Sequence, residues 1–125
     1  MTKIETNTFQ ELKQLKSLNL FYNQINCIET SAFAGLDNLE TLNLGNNKLI
    51  KIDAYFQGLK QLKLLELDAN SISCIASSAF VGPDNLETLN LSFKFTIFEK
   101  ILNFVMDPLP GLKQLIALRL EWHMY

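Results

Sequence analysis

The stretch from Leu39 to Leu49 reads LETLNLGNNKL and decides the fold of this chain. Leu42 and Leu44 alternate with polar neighbours, which is the pattern of a short strand that buries one face. Asn47 follows three residues after Leu44. A buried amide there can bond backbone groups of neighbouring turns that the turn itself leaves unpaired. The stretch therefore predicts a strand followed by a turn away from the sheet.

The same pattern returns along the whole chain. Leucines fill the first, fourth and sixth positions of units that begin at residues 15, 39, 62, 86 and 115, so the starts lie 24, 23, 24 and 29 residues apart. Three units carry an asparagine at the ninth position and a later phenylalanine, which are Asn23, Asn47 and Asn70, and Phe33, Phe56 and Phe80. One such strand cannot bury its leucines alone, but stacked units form a continuous core.

We therefore predict a single domain over residues 1–125. Ile4, Phe9 and Leu12 fit the last part of an earlier unit, which we call unit 0. The complete set is unit 0 (1–14, partial), unit 1 (15–38), unit 2 (39–61), unit 3 (62–85), unit 4 (86–114, with an insertion) and unit 5 (115–125, partial).

These motifs resemble the leucine-rich repeat family over nearly the whole chain. The 24-residue unit with a late phenylalanine is similar to the extracellular subfamily of Toll-like and Slit-like proteins. The resemblance implies an α/β leucine-rich repeat solenoid, a short right-handed arc with a concave parallel sheet of four to five strands and a mostly irregular convex side. It also favours an extracellular or cell-surface location, although the first nine residues lack the apolar core of a secretory signal.

A longer period lies above the single unit. Residues 12–15 return as residues 59–62, and residues 37–44 return as residues 84–91, both with a shift of 47. We infer that units were duplicated in pairs. Cys27 and Cys74 occupy the same place 47 residues apart, and we expect them to be small buried residues too far apart for a disulfide.

Unit 4 and the chain ends depart from the pattern. Lys94 takes the asparagine position, and apolar residues between 97 and 106 follow a helical spacing, so we predict one inserted helix near 97–106. This insertion is a tolerated loop, a partner-binding protrusion or a gene-model artefact. The chain starts and stops within a unit, which suggests a fragment of a larger protein. Uncapped ends could drive end-to-end self-association.

Composition argues against several classes of function. The formal net charge is −2 and no basic stripe is present, so we expect no nucleic-acid partner. No apolar run is long enough to insert into a membrane. His123 is the single histidine, and no metal-ligand cluster, phosphate-binding loop or nucleophile motif is present. We therefore expect no enzyme activity, no cofactor and no metal.

The outward positions of the strands would form the concave surface, and protein–protein recognition there is the leading prediction. Exposed aromatic residues are natural anchors for a protein or peptide. The candidate contact residues are the aromatic Phe21 and Tyr22 and the polar Asn19, Asn43, Glu66, Asp68 and Asn90. Alternating charges at Lys16, Glu40, Lys63 and Glu87 predict cross-strand ion pairs. The alternative is a structural spacer within a receptor or adhesion ectodomain.

Overall fold

The computed structural model describes residues 1–92 in full and the backbone of residues 93–94 and 117–123. Within these ranges the chain contains strands and turns and no helix. The strands are β1 (Lys3–Ile4), β2 (Ser17–Asn19), β3 (Cys27–Ile28), β4 (Thr41–Asn43), β5 (Lys51–Ile52), β6 (Leu64–Leu67), β7 (Cys74–Ile75), β8 (Thr88–Lys94) and β9 (Ala117–His123). The predicted inserted helix near 97–106 lies outside the described residues.

The leucine triplets build one parallel sheet, in the order β2-β4-β6-β8-β9. Leu42 pairs with Leu65 and Leu65 with Leu89, and all three side chains are fully buried. Each leucine packs on the leucine of the next unit, so the core runs along the stack. At the edge strand β2, Leu18 is only partly buried. The predicted solenoid with a concave parallel sheet is confirmed.

The asparagine position works as the sequence predicts. Asn47 donates from Nδ2 to the carbonyl oxygens of Leu20, Leu44 and Gly45 at 3.0, 3.0 and 3.1 Å. Its Oδ1 accepts the Ile25 N–H at 3.0 Å. One buried amide therefore satisfies backbone groups of two consecutive turns, which would otherwise be buried without partners.

The phenylalanines form a spine behind the sheet. Phe9, Phe33 and Phe56 stack in succession, with ring centroids 6.1 and 5.9 Å apart. All three rings are buried. The spine begins in unit 0, and there β1 of unit 0 pairs with β3 of unit 1.

On the convex side the units associate in pairs. β1 pairs with β3 and β5 pairs with β7, whereas β3 and β5 do not pair. Gly35 and Gly82 have φ angles of +96° and +125°, and each lies against the backbone of the preceding unit. Gly58 occupies the corresponding place in unit 2, but a Cβ there would meet nothing within 4 Å. Units 0 and 1 are therefore closely packed, as are units 2 and 3, while the junction between units 1 and 2 is open.

The expectation that both cysteines are buried is wrong. Cys27 and Cys74 are exposed, whereas the neighbouring Ile28 is buried and Ile75 is partly buried. Successive side chains of a strand point to opposite faces, and here the isoleucines take the inward direction.

The described part of the chain contains no helix that is long and apolar enough to cross a membrane.

Candidate functional site

Four of the predicted polar residues lie in one row across the concave face. Asn19 pairs with Asn43, Asn43 with Glu66, and Glu66 with Asn90 in the register of the sheet. Neighbouring strands of a sheet lie about 4.8 Å apart, so the row extends over roughly 14 Å. That length suits an extended segment of a few residues that crosses the strands.

The first two asparagines have their amide orientation fixed by the chain itself. Asn19 Oδ1 accepts the N–H of Phe21 at 2.9 Å, and Asn43 Oδ1 accepts the N–H of Gly45 at 2.8 Å. Because each oxygen faces the backbone, each Nδ2 group points away from it. Neither Nδ2 group donates to another of the described residues, so this part of the face offers two amide donors.

Asn90 differs from the other two asparagines. Its Oδ1 atom is buried and has no hydrogen-bond partner among the described residues. Strand β8 continues to Lys94, whereas β4 ends at Asn43. The turn that returns an N–H to the amide of Asn43 therefore does not form after Asn90.

The end of β8 also differs from the preceding units at Ser92, which occupies the same repeat position as Phe21, Gly45 and Asp68. Ser92 is fully buried. Its hydroxyl accepts the N–H of Asn70 at 3.2 Å and lies 3.5 Å from the carbonyl oxygen of Leu67. In the preceding units an asparagine supplies the equivalent bond to the leucine carbonyl, and here Lys94 stands in its place. Ser92 thus replaces the asparagine as the group that bonds the leucine carbonyl of the preceding unit.

Two exposed aromatic side chains lie beside the amide donors. Phe21 and Tyr22 are 47% and 75% exposed, and their ring centroids are 6.2 Å apart. They follow β2 after Leu20, so they lie just beyond the carboxyl end of the edge strand. Large apolar side chains with this exposure are common partner contacts. The side chains of Phe93 and Trp122, which the sequence places at the same ends of β8 and β9, lie outside the described atoms.

Gly45 brings predicted residues of three strands together. A Cβ atom on Gly45 would lie 3.0 Å from Asn43 Oδ1, 3.1 Å from Asp68 Oδ1 and 3.2 Å from Phe21 Cδ2. The Phe21 ring and the Asp68 carboxylate therefore converge over a residue with no side chain. Gly45 is not among the predicted contact residues, although it occupies the same repeat position as Phe21 and Asp68.

The charges of this face are only partly paired. Lys63 Nζ lies 3.5 Å from Glu40 Oε2, which is one of the cross-strand ion pairs that the alternation predicts. No cation of the described residues lies within ion-pair distance of Glu66 or Asp68, and both are partly exposed. Among the described residues, the part of the face around Glu66 and Asp68 is therefore acidic.

A second concavity lies on the convex side, at the open junction between units 1 and 2. It has a volume of about 500 Å³. Burial is the main cause that raises the pKa of the Tyr55 hydroxyl above its ordinary value. The nearby Asp53 carboxylate and Cys27 thiol raise this pKa further. The lining includes Thr30, Ser31, Phe33, Tyr55, Gln57 and Lys60. None of the predicted contact residues lines it.

The described residues contain no group of three or more histidine, cysteine or acidic side chains placed to hold a metal ion. This surface presents aromatic rings, amide donors and carboxylate acceptors on one parallel sheet.

Comparison with known proteins places these features in context. A family profile described as leucine rich repeat matches residues 1–49 and 53–93. A crystal structure of a TLR13–ssRNA13 complex is similar to the chain, with a TM-score of 0.82 and 30% sequence identity. The match covers 98% of this chain and 20% of the other, so this chain spans about a fifth of that protein's length. No curated protein sequence matches the chain.

Proposed function

The chain belongs to the leucine-rich repeat family, and from that premise we propose that it binds an extended protein or peptide segment on its concave face. Members of this family are typically binding modules without enzyme activity. The observation that carries the proposal is the exposure of Phe21 and Tyr22 beside the amide donors of Asn19 and Asn43, which have no acceptor among the described residues.

The two kinds of group have complementary tasks in such a complex. The aromatic rings supply apolar area that a partner side chain can cover, which is the usual source of affinity at interfaces. The Nδ2 groups of Asn19 and Asn43 would donate to main-chain carbonyl groups of the partner. Glu66 and Asp68 supply acceptors on the next strand, and Asn90 continues the row. The sheet holds all of these groups without further ordering, which lowers the entropy cost of binding.

The structural relative raises a nucleic acid as a different ligand, because its structure is a complex with single-stranded RNA. Here the concave face carries the carboxylates of Glu66 and Asp68, which have no cation within ion-pair distance among the described residues. Phosphate groups would be repelled by these charges, and a nucleic-acid site normally needs several unpaired Lys or Arg side chains. We therefore favour a protein segment over RNA.

The structural-spacer alternative rests on the short length of this chain compared with the TLR13 chain that it resembles. The chain corresponds to a fifth of its structural relative, so it would be one part of a larger protein whose contact residues lie elsewhere. In that case the half-buried Leu18 at the β2 edge would be covered by another unit or by a second copy of the chain.

The decisive experiment compares two double variants, each of which truncates two exposed apolar side chains. Peptides are first selected on the immobilised chain from a random displayed library. Their affinity is then measured for the Phe21→Ala/Tyr22→Ala variant and for an Ile50→Ala/Val81→Ala control, which removes exposed side chains away from the concave face. Loss of two anchors should weaken binding by roughly ten-fold or more.

The control variant should bind like the parent chain, and a single-stranded RNA oligonucleotide should not bind at physiological salt. Unchanged peptide affinity in a folded Phe21→Ala/Tyr22→Ala variant would favour the spacer alternative. Specific, saturable RNA binding would replace the protein partner with a nucleic acid.

A further inference from the structure

We propose that Phe21 and Asp68, which converge over Gly45, form a subsite for one basic side chain, lysine or arginine, of the bound segment. This inference rests on the proposed function and adds a residue preference to it. It depends on three neighbouring strands and on one position without a side chain.

Phe21 and Asp68 both lie close to the position that a Gly45 side chain would fill. Phe21 Cδ2 and Asp68 Oδ1 lie 3.2 and 3.1 Å from the point that a Cβ of Gly45 would occupy. The two atoms are therefore at most 6.3 Å apart, on opposite sides of Gly45 along the sheet. The Phe21 side chain is 47% exposed, so part of its ring remains open to a partner.

The Phe21 ring and the Asp68 carboxylate both attract cations. The face of an aromatic ring attracts a cation, and a carboxylate attracts the same cation. A lysine or arginine side chain lying along Phe21 would place its alkyl stem on the ring and its charge beside Asp68. An acidic side chain would be repelled there, and a neutral one would leave the carboxylate without a partner.

Among the described residues, no cation competes with the partner for the Asp68 carboxylate. Lys63 is engaged with Glu40 at 3.5 Å. Glu66 and Asp68 have no cation within ion-pair distance in the part of the chain that the structure describes. Asn43 Oδ1, the third atom near Gly45, is already an acceptor for the Gly45 N–H. A basic residue of the partner therefore meets an unneutralised carboxylate.

The test uses the whole chain, labelled with ¹⁵N, and short blocked peptides of glycine and serine that differ at one central residue. That residue is arginine, norleucine or glutamate. The arginine peptide should shift the amide resonances of Gly45, Asp68 and Phe21 and should bind more tightly than the other two. Asp68→Asn should weaken the arginine peptide by roughly two- to five-fold and leave the norleucine peptide unchanged. Asp84→Asn, at an exposed turn, is the matched control and should have no effect.

Gly45→Ala offers a second variant that keeps both functional groups. Its Cβ would push Phe21 and Asp68 apart by a few tenths of an ångström, so the preference for arginine should fall in a chain that remains folded. Higher salt should weaken the arginine peptide and not the norleucine peptide.

Two results would overturn the inference. One is equal binding of the arginine and norleucine peptides, or equal loss in Asp68→Asn and Asp84→Asn. The other is the lack of any shift at Gly45 with the arginine peptide up to roughly 10 mM, a concentration that would detect even very weak binding. Neither result would contradict binding of library-selected peptides at Phe21 and Tyr22, so failure of the subsite and failure of the proposed function are distinguishable.

Discussion

Gly35 lies directly against the backbone of Gln10 in the preceding unit. A Cβ atom on Gly35 would be 2.5 Å from both the Cα and the carbonyl oxygen of Gln10. The contact brings units 0 and 1 together on the convex side, where β1 and β3 also pair. Gly58, its counterpart in unit 2, makes no comparable contact.

Gly35→Ala and Gly58→Ala should therefore have opposite effects on stability. At Gly35 the new methyl group meets backbone and the φ of +96° disfavours any L side chain, so we expect a loss of at least about 2 kcal/mol. At Gly58 the space is open, and the lower entropy of the unfolded chain should stabilise by about 0.4–1 kcal/mol. Denaturant unfolding of the two variants and the parent chain measures both. Equal effects would mean that the units are packed alike.

Asn47→Ala should be far more costly than Asn23→Ala. Asn47 is buried and bonds backbone groups of four residues, whereas Asn23, beside the edge strand, donates to the Leu20 carbonyl and is partly exposed. We expect a loss of about 3 kcal/mol or more for Asn47→Ala and about 1 kcal/mol for Asn23→Ala. Thermal unfolding gives the comparison. Similar losses would contradict a role for the amide in joining consecutive turns.

Tyr22→Asn should stabilise the chain while it weakens the proposed peptide binding. Tyr22 has a φ of +59°, and Asn46 adopts a φ of +53° at the same place in unit 2. Asparagine tolerates this left-handed conformation better than tyrosine, so we expect a gain of about 0.5–1 kcal/mol. Unfolding and peptide-binding assays on the same variant test the two effects.

Ala69→Asn is the control for Tyr22→Asn, because Ala69 has a φ of +56° and no aromatic ring. It should stabilise without a change in peptide affinity. If Tyr22→Asn leaves affinity intact as well, Tyr22 is not a contact residue.

Glu29 should give the chain a component of acid sensitivity. The N–H of Thr6 donates to Glu29 Oε1 at 3.0 Å, and this bond, with the nearby Lys3 ammonium, lowers the pKa of Glu29 despite partial desolvation. A lowered pKa in the folded state means that the contribution is present above the unfolded value of 4.5 and is lost as the pH falls through the folded value.

The stability difference between the parent chain and Glu29→Gln should therefore be largest at neutral pH and shrink below about pH 4.5. Glu11→Gln, which removes an exposed carboxylate without an ion pair among the described residues, is the control. A difference that stays constant between neutral and acid pH would contradict the linkage.

The sequence predicted the scaffold because each of its elements repeats. The leucine triplets determine the sheet, and Asn47 and Asn70 determine the turns, since a buried amide is the residue type that can satisfy those backbone groups. The 47-residue period indicated a duplication of units in pairs, but it did not predict that β1 pairs with β3 and β5 with β7 on the convex side.

Other features could not be predicted because identical residues have different backbones or neighbours. Gly35 and Gly58 are the same residue at the same repeat position, and only the structure distinguishes the close contact from the open one. The period placed Cys27 and Cys74 in equivalent surroundings but could not assign which residue of each two-residue strand turns inward. In unit 4 Lys94 replaces the asparagine, and β8 continues past Ser92 to Lys94. The repeat pattern does not predict this longer strand.

The binding site was predicted only as a set of outward positions. Phe21, Asn43 and Asp68 belong to that set, but their convergence depends on Gly45, whose contribution is the lack of a side chain. A residue of this kind has no chemical signature in a single sequence. Its importance follows from its neighbours on adjacent strands.

The open junction between units 1 and 2 has a mechanical consequence. The sheet and the Phe33–Phe56 stack join the two halves there, while β3 and β5 leave the outer rim unlinked. Among the junctions of the described residues, bending therefore costs least at this point, because closing or widening the rim breaks no backbone ladder. The junction lies behind β4, the strand that precedes Gly45. A change of curvature there would alter the spacing between Phe21 and Asp68, and the spine would act as the hinge.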